Sequence, residues 1–227
     1  MGALALACGK SAVDGESPSR AERSDIEWRT VSARPDKADV DPALRELDGR
    51  RLVVAGTDAD LAAVVVRLLR TERLADVAVG YLPAERSSVV ASLWGLPTDQ
   101  QRALDVAVGA DPDPVPLVRD DSGGVLVGRG SFRPARGVAY CDEKRVLRGQ
   151  ASEIDVGPDP EGGRGLVVRI VRRHLLTKRV EVARGRAFQI GCVPAVPVLD
   201  GVAHPRTVTR WTWYRDAEDL RLVRGLR

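Results

Sequence analysis

Residues 50–70 read RRLVVAGTDADLAAVVVRLLR, and the fold turns on how they are read. Leu52, Val53, Val54 and Ala55 form a short apolar run, as expected of a strand buried on both faces. Gly56 ends it where the chain must turn sharply. Thr57, Asp58 and Asp60 are all residue types that cap helices. Leu61, Val64, Val65, Leu68 and Leu69 then recur at helical spacing and define one apolar face. A strand feeding a helix through such a turn leaves free N–H groups at the positive end of the helix dipole, where an anion can sit. Most such turns bind nothing and simply close a βα unit.

Upstream, Ile26 to Val31 reads as a short strand. Asp41 to Leu47 reads as a helix capped by Asp41 and closed at Gly49. Residues 9–24 are rich in Ser, Gly and charge, and residues 1–25 are set apart as a mobile N-terminal segment. The opening MGALALACGK lacks the basic flank and the apolar length of a lipoprotein signal. Downstream, Val77, Val79 and Tyr81 begin a strand that ends at Leu82-Pro83. Ser87 or Ser88 caps a helix through Leu93 that Gly95 closes, and Thr98 caps another that stops at Gly109. Strand and helix alternate over 26–110, as in a parallel α/β layer.

The pattern changes after Asp111-Pro112-Asp113-Pro114. Val115 to Val127 reads as a hairpin about the 121–124 turn. Residues 128–165 resist assignment. Leu166–Val171, Lys178–Ala183, Arg186–Val193, Thr207–Tyr214 and Leu220–Val223 read as strands, with a hairpin turn at Asp200-Gly201. Trp211 and Trp213 share a strand face and suit a core. The expectation is a parallel α/β nucleotide-binding-like layer over 26–114, followed by an antiparallel β-sandwich-like domain over 115–227.

The chain has 227 residues, 44% of them hydrophobic and 30% charged, which suits a globular protein. Three widely spaced cysteines, Cys8, Cys141 and Cys192, argue against a disulfide framework or zinc site and for a reducing, cytoplasmic compartment. His174 and His204 have no ligand-spaced companions. Net charge is +3, but residues 126–227 carry 20 basic and 11 acidic side chains. Such a half can favour anionic headgroups or nucleotides, or be only a soluble face.

The order of elements and several local strings resemble the diacylglycerol-kinase catalytic family of bacterial lipid kinases, over roughly residues 26–227. That family places a GGDGT loop between strand and helix, and Gly56 to Asp60, GTDAD, stands there. LPAERSSVVASLWGLP, Leu82 to Pro97, takes the place of its PLGTGNDFA segment. Asp200-Gly201-Val202 takes the place of its late DGE. The resemblance implies an α/β nucleotide domain followed by a β-sandwich, and ATP- and Mg²⁺-dependent phosphoryl transfer to a lipid hydroxyl. It implies Asp58 as the residue that orients the metal, Gly56, Thr57 and Arg86 at the phosphates, and Asp200 beside the acceptor. The implied partners are a nucleotide and an anionic membrane surface or lipid, with no nucleic acid. The implied location is cytoplasmic, with peripheral attachment at the inner membrane face. NAD kinases share the GGDGT loop, but the closing DG segment sits better with the lipid kinases.

The departures from the motifs have physical content. Thr57 and Ala59 add Cβ atoms where the family has none, and Asp60 adds a carboxylate that would repel a phosphate. The second loop keeps Pro83 alone. Val202 cannot accept a proton, whereas the family's glutamate can serve as the base. Asp58 can equally be a helix cap, and Asp200 the acid of an Asp-Gly turn. The rival to an active lipid kinase is therefore an inactive relative that binds a nucleotide, lipid or protein partner.

Overall fold

The computed structural model describes residues 2–9, 23–97, 99–174 and 177–225. It divides into two units, Met1–Val115 with Glu218–Arg227, and Pro116–Ala217. The second boundary therefore differs from the expected 115–227 domain, because the last ten residues return to the first unit.

The first unit is a parallel sheet. β1 (Ala3–Cys8) lies between β2 (Ile26–Val31) and β3 (Arg51–Gly56), and β3 pairs with β4 (Val79–Pro83), all parallel. β1 corrects the reading of residues 1–25 as a mobile segment. Its six residues, ALALAC, are all buried. An unbroken apolar hexamer is what a strand covered on both faces requires. Residues 10–22 of that segment lie outside the described residues. Val53 is fully buried in β3, and the end of the last strand, β16 (Val208–Val223), pairs parallel with β4 through Leu222 and Val79.

Among the described residues the helices are α1 (Lys37–Arg45), α2 (Asp58–Arg70), α3 (Val89–Trp94) and α4 (Gln100–Gly109). α1 starts four residues before the expected cap. Asp36, not Asp41, accepts from Ala38 N and Asp39 N, with Asp39 completing a capping box. Pro42, sixth of the nine residues, offers no N–H to Ala38 O, so the helix forgoes one internal hydrogen bond there. Asp41 instead forms a two-pronged ion pair with Arg67 of α2, both contacts at 2.9 Å. Asp99 caps α4 by accepting from Arg102 N, and Thr98 lies outside the described residues. Ser88 caps α3, and Gly95 closes it with φ of 66°.

The second unit is a β-sandwich. One sheet pairs β16 with β13 (Ala187–Ala195), β13 with β8 (Ala135–Cys141) and β8 with β9 (Lys144–Ala151), all antiparallel. The other runs in the order β12 (Thr177–Gly185), β11 (Leu166–His174), β10 (Glu153–Pro158), β7 (Gly130–Phe132), β14 (Val198–Leu199), β15 (Val202–Ala203). β5 (Pro112–Asp120) and β6 (Val125–Leu126) form the expected hairpin. The stretch 128–165, which defied assignment, supplies β7 to β10. Its glycines obscured the alternation, yet β10 reads inward at Ile154, Val156 and Pro158. Thr207–Tyr214 and Leu220–Val223 are not separate strands but parts of β16, which runs through the charged Arg215-Asp216-Ala217-Glu218-Asp219. Trp213 is fully buried in the sandwich core, stacked on Phe188 and edge-on to Phe132. Gly130 permits this packing, since a Cβ there would lie 2.5 Å from Trp213 Cζ2.

Candidate functional site

β1 is flanked by β2 on one side and β3 on the other, so the strand order reverses there. In parallel sheets ligands bind outside the carboxyl ends of the strands at such a point. Among the described residues, three turns follow those ends: Gly56-Thr57 after β3, 32–36 after β2 and 84–88 after β4.

Asp60 occupies the first of these. Thr57 is the N-cap of α2, and its hydroxyl accepts from Asp60 N while donating to Asp60 Oδ2 at 2.8 Å. Thr57 N donates to the same oxygen at 2.8 Å, and Arg34 N donates to Oδ1 at 2.6 Å. The Asp60 carboxylate is thus buried and held by three donors from the turns after β3 and β2. Gly56 is needed for this approach, because a Cβ there would meet Asp60 Oδ2 at 2.6 Å. The Cys8 thiol, at the end of β1, is pushed up to about 12, by burial first and then by Asp60 and Asp39.

Asp58 faces the other way. Its Oδ1 accepts from Ser88 Oγ at 2.5 Å and Tyr81 Oη at 2.9 Å. Its Oδ2 accepts from Val89 N at 2.8 Å and Val90 N at 3.3 Å. Four donors surround one carboxylate, and two are the free N–H groups that open α3. The Tyr81 hydroxyl also lies 3.0 Å from Gly56 O, so its single proton is shared between two acceptors. Burial, then the Asp58 charge, raises its pKa well above the phenol range. Arg86 is exposed in the 84–88 turn and forms no ion pair among the described residues.

Gly56, Thr57 and Asp58 are therefore brought together in one turn, with Ser88 and Tyr81 as partners that sequence reasoning did not single out as such. Asp60 was recognised as a misplaced charge, but its acceptance of Arg34 N links residues 26 apart and left no local signal.

In the second unit, Asp200 and Gly201 make the two-residue turn between β14 and β15, with φ of 46° and 86°. The Asp200 side chain is buried. Its Oδ2 accepts from Val127 N at 3.0 Å, and Oδ1 from Gly128 N and Arg129 N at 2.8 Å each. Val202, next in line, is half-buried. His204 packs edge-on to Trp211, and its Nδ1 lies 2.9 Å from Arg206 O and 3.3 Å from Arg206 N.

No family model and no curated protein matches the chain. Solved structures do. A diacylglycerol kinase from Bacillus anthracis str. Sterne superposes with a TM-score of 0.68 at 10% identity, over 99% of this chain and 97% of that one. The chain has the bacterial diacylglycerol-kinase fold. A further structure of a diacylglycerol kinase from that organism gives 0.67 at 11% identity, over 99% and 97%. An NAD kinase from Archaeoglobus fulgidus in complex with ATP gives 0.57 at 15% identity, over 99% and 94%. The diacylglycerol-kinase fold accounts for the βα turn at Gly56, the sandwich and the late Asp-Gly hairpin. No helix among the described residues is long and apolar enough to cross a membrane.

Proposed function

We propose that this protein keeps the lipid-kinase fold as a binding scaffold and no longer transfers phosphate. The observation that carries the proposal is the Asp60 carboxylate on Thr57 N–H and Arg34 N–H. Those are the groups a phosphate would need, and they already hold an anion supplied by the chain itself. On this reading a phosphate has to displace the Asp60 carboxylate to reach those donors.

Three further features support the same reading. Asp58 accepts four hydrogen bonds, so turning it to a metal would unpair the start of α3 and the Ser88 hydroxyl proton and leave Tyr81 with Gly56 O alone. Its role is then to join the turn after β3 to the turn after β4. Asp200 is engaged by three backbone N–H groups and shapes the 127–129 turn. Val202 stands where the resemblance implies a proton acceptor, and an alkyl side chain cannot serve as one. Arg86, exposed and without an ion pair among the described residues, stands beside this end of the sheet and is the residue best suited to an anionic partner.

The test is transfer of labelled phosphate from ATP to diacylglycerol and related lipids in mixed micelles, with NAD as a second acceptor. The expected result is no transfer above buffer. Robust transfer lost in both Asp58→Asn and Asp200→Asn would restore the lipid-kinase reading, with ATP and Mg²⁺ as cofactors.

A further inference from the structure

A groove of about 750 Å³ lies on β8, β13 and β16 of the second unit. Strand register sets out its interior. Val138 of β8 stands opposite Gly191 of β13, and Gly191 opposite Arg210 of β16. Two residues along, Tyr140 stands opposite Gln189, and Gln189 opposite Thr212. Residues directly opposed on antiparallel strands share a face, and all of these line the groove. Asp121, from the turn between β5 and β6, joins them at the rim. Gly191 makes the floor. A Cβ added there would meet nothing within 4 Å, so the space above it is open. The pairing of β13 with β16 slips between Gly191 and Ala195, and such bulges are over-represented beside functional sites.

The side chains around this floor carry both signs and have no partners. Among the described residues, Asp121 and Arg210 form no ion pair, and Gln189, Thr212 and the Tyr140 hydroxyl make no side-chain hydrogen bond. Tyr140 is 41% exposed and is the only aromatic among the exposed large hydrophobic side chains of the described residues. The opposite sheet also exposes valines and arginines, Val180, Val182, Arg169 and Arg173. Its carboxylates, however, are already held: Glu153 and Asp155 by Arg133, Glu181 by Arg172, and Asp159 and Glu161 by Arg184. An open floor, an aromatic wall and an unanswered acid and base come together only on the β8-β13-β16 side.

From this combination we infer that the groove binds a carbohydrate, a neutral ligand of hydroxylated rings. The C–H face of a pyranose packs on a tyrosine ring. Its hydroxyls are donors and acceptors at once, so Asp121 can accept from them, Arg210 can donate to them and Gln189 can do both. A phosphate-bearing ligand would gain from Arg210 but be repelled by Asp121. A purely apolar ligand would strip water from these polar groups and return no hydrogen bond. A peptide strand cannot extend the sheet at this floor, because β13 is paired on both sides, by β8 and β16. The volume is that of a small-molecule site, which spans roughly 300–1,000 Å³. The inference does not rest on whether the Gly56 turn binds nucleotide.

Calorimetric titration and saturation-transfer-difference NMR of the full chain with maltotriose, cellotriose and chitotriose test it. At least one of these should bind. Gly191→Leu fills the open floor at a position with ordinary strand backbone, so it should abolish binding and leave the melting temperature unchanged. Tyr140→Ala should weaken binding about tenfold through the lost ring contact. Arg169→Ala, on the opposite sheet, should leave affinity within about twofold. Melting curves check folding, and Gly191→Val serves if the leucine variant does not fold. No binding of any of these sugars, binding that survives the filled floor, equal losses in Arg169→Ala, or a groove that takes inorganic phosphate in their place would overturn the assignment.

Discussion

A Cβ on Gly56 would stand 2.6 Å from the Oδ2 atom of Asp60, so the glycine that ends β3 and the carboxylate in the first turn of α2 fit only together. Gly56→Ala should therefore cost about 1–3 kcal/mol through overpacking. Asp60→Ala alone also destabilises, since it unpairs Thr57 N–H and Arg34 N–H. In the double variant the two costs should not add, because removing the carboxylate makes room for the methyl. Urea melts of the four proteins measure this, and strict additivity would count against the pairing.

Asp200 gives a second test of structure against chemistry. Asp200→Ala leaves the N–H groups of Val127, Gly128 and Arg129 without their shared acceptor. The expected loss is about 3 kcal/mol, read as a shift of the denaturation midpoint. Asp200→Asn keeps one accepting oxygen and should lose less. A stability unchanged in Asp200→Ala would show that the residue is not holding the turn.

The Asp41–Arg67 pair links α1 to α2 and titrates. The hydrogen bonds from Arg67 hold the Asp41 carboxyl below its usual range. Its folded value is thus lower than its unfolded value of about 4. The stabilisation is present above that unfolded value and is lost as pH falls through the folded one. Asp41→Asn should cost about 1 kcal/mol at neutral pH, and the gap to the unaltered protein should close in acid. Melts across pH 2–7 read it directly.

Thiol reactivity reports burial. Cys8 and Cys141 are buried, and their thiols are pushed up, by burial first, to about 12 and about 11. Cys192 is half-buried and raised by burial alone. Alkylation at pH 8, mapped by mass spectrometry, should mark Cys192 first and Cys8 only on unfolding. Early labelling of Cys8 would mean that β1 is not a stable inner strand.

Much of the fold was legible because each signal was local. The Leu52–Ala55 run, the Ser88 cap, the Gly95 stop and the Asp200-Gly201 turn each declare themselves within a few residues. β1 was missed although its apolar run of six residues is longer than the Leu52–Ala55 run of β3, because a short apolar run ending in Cys at a chain start also suits a signal segment. β7 to β10 were missed because glycines dilute them, β8 turns Val138 and Tyr140 outward, and a bulge at Ala139/Tyr140 breaks the period against β9. The joining of two predicted strands into β16 depends on partners more than 100 residues distant, such as Val79 for Leu222. In the candidate site, the residue types were legible and the direction in which their side chains point was not. Asp58 and Asp60 lie two apart, and only tertiary structure sends one to α3 and the other to the 32–36 turn.

The central claim is that the chain's own carboxylate fills its phosphate turn, and calorimetric titration with ATP and Mg²⁺ tests it most directly. The pair to compare is the natural sequence and the variant carrying Thr57→Gly, Ala59→Gly and Asp60→Thr. No measurable binding to the natural sequence, with binding gained in the triple variant, is the predicted result. Tight binding to the natural sequence, weakened or unchanged by the three substitutions, would contradict the account.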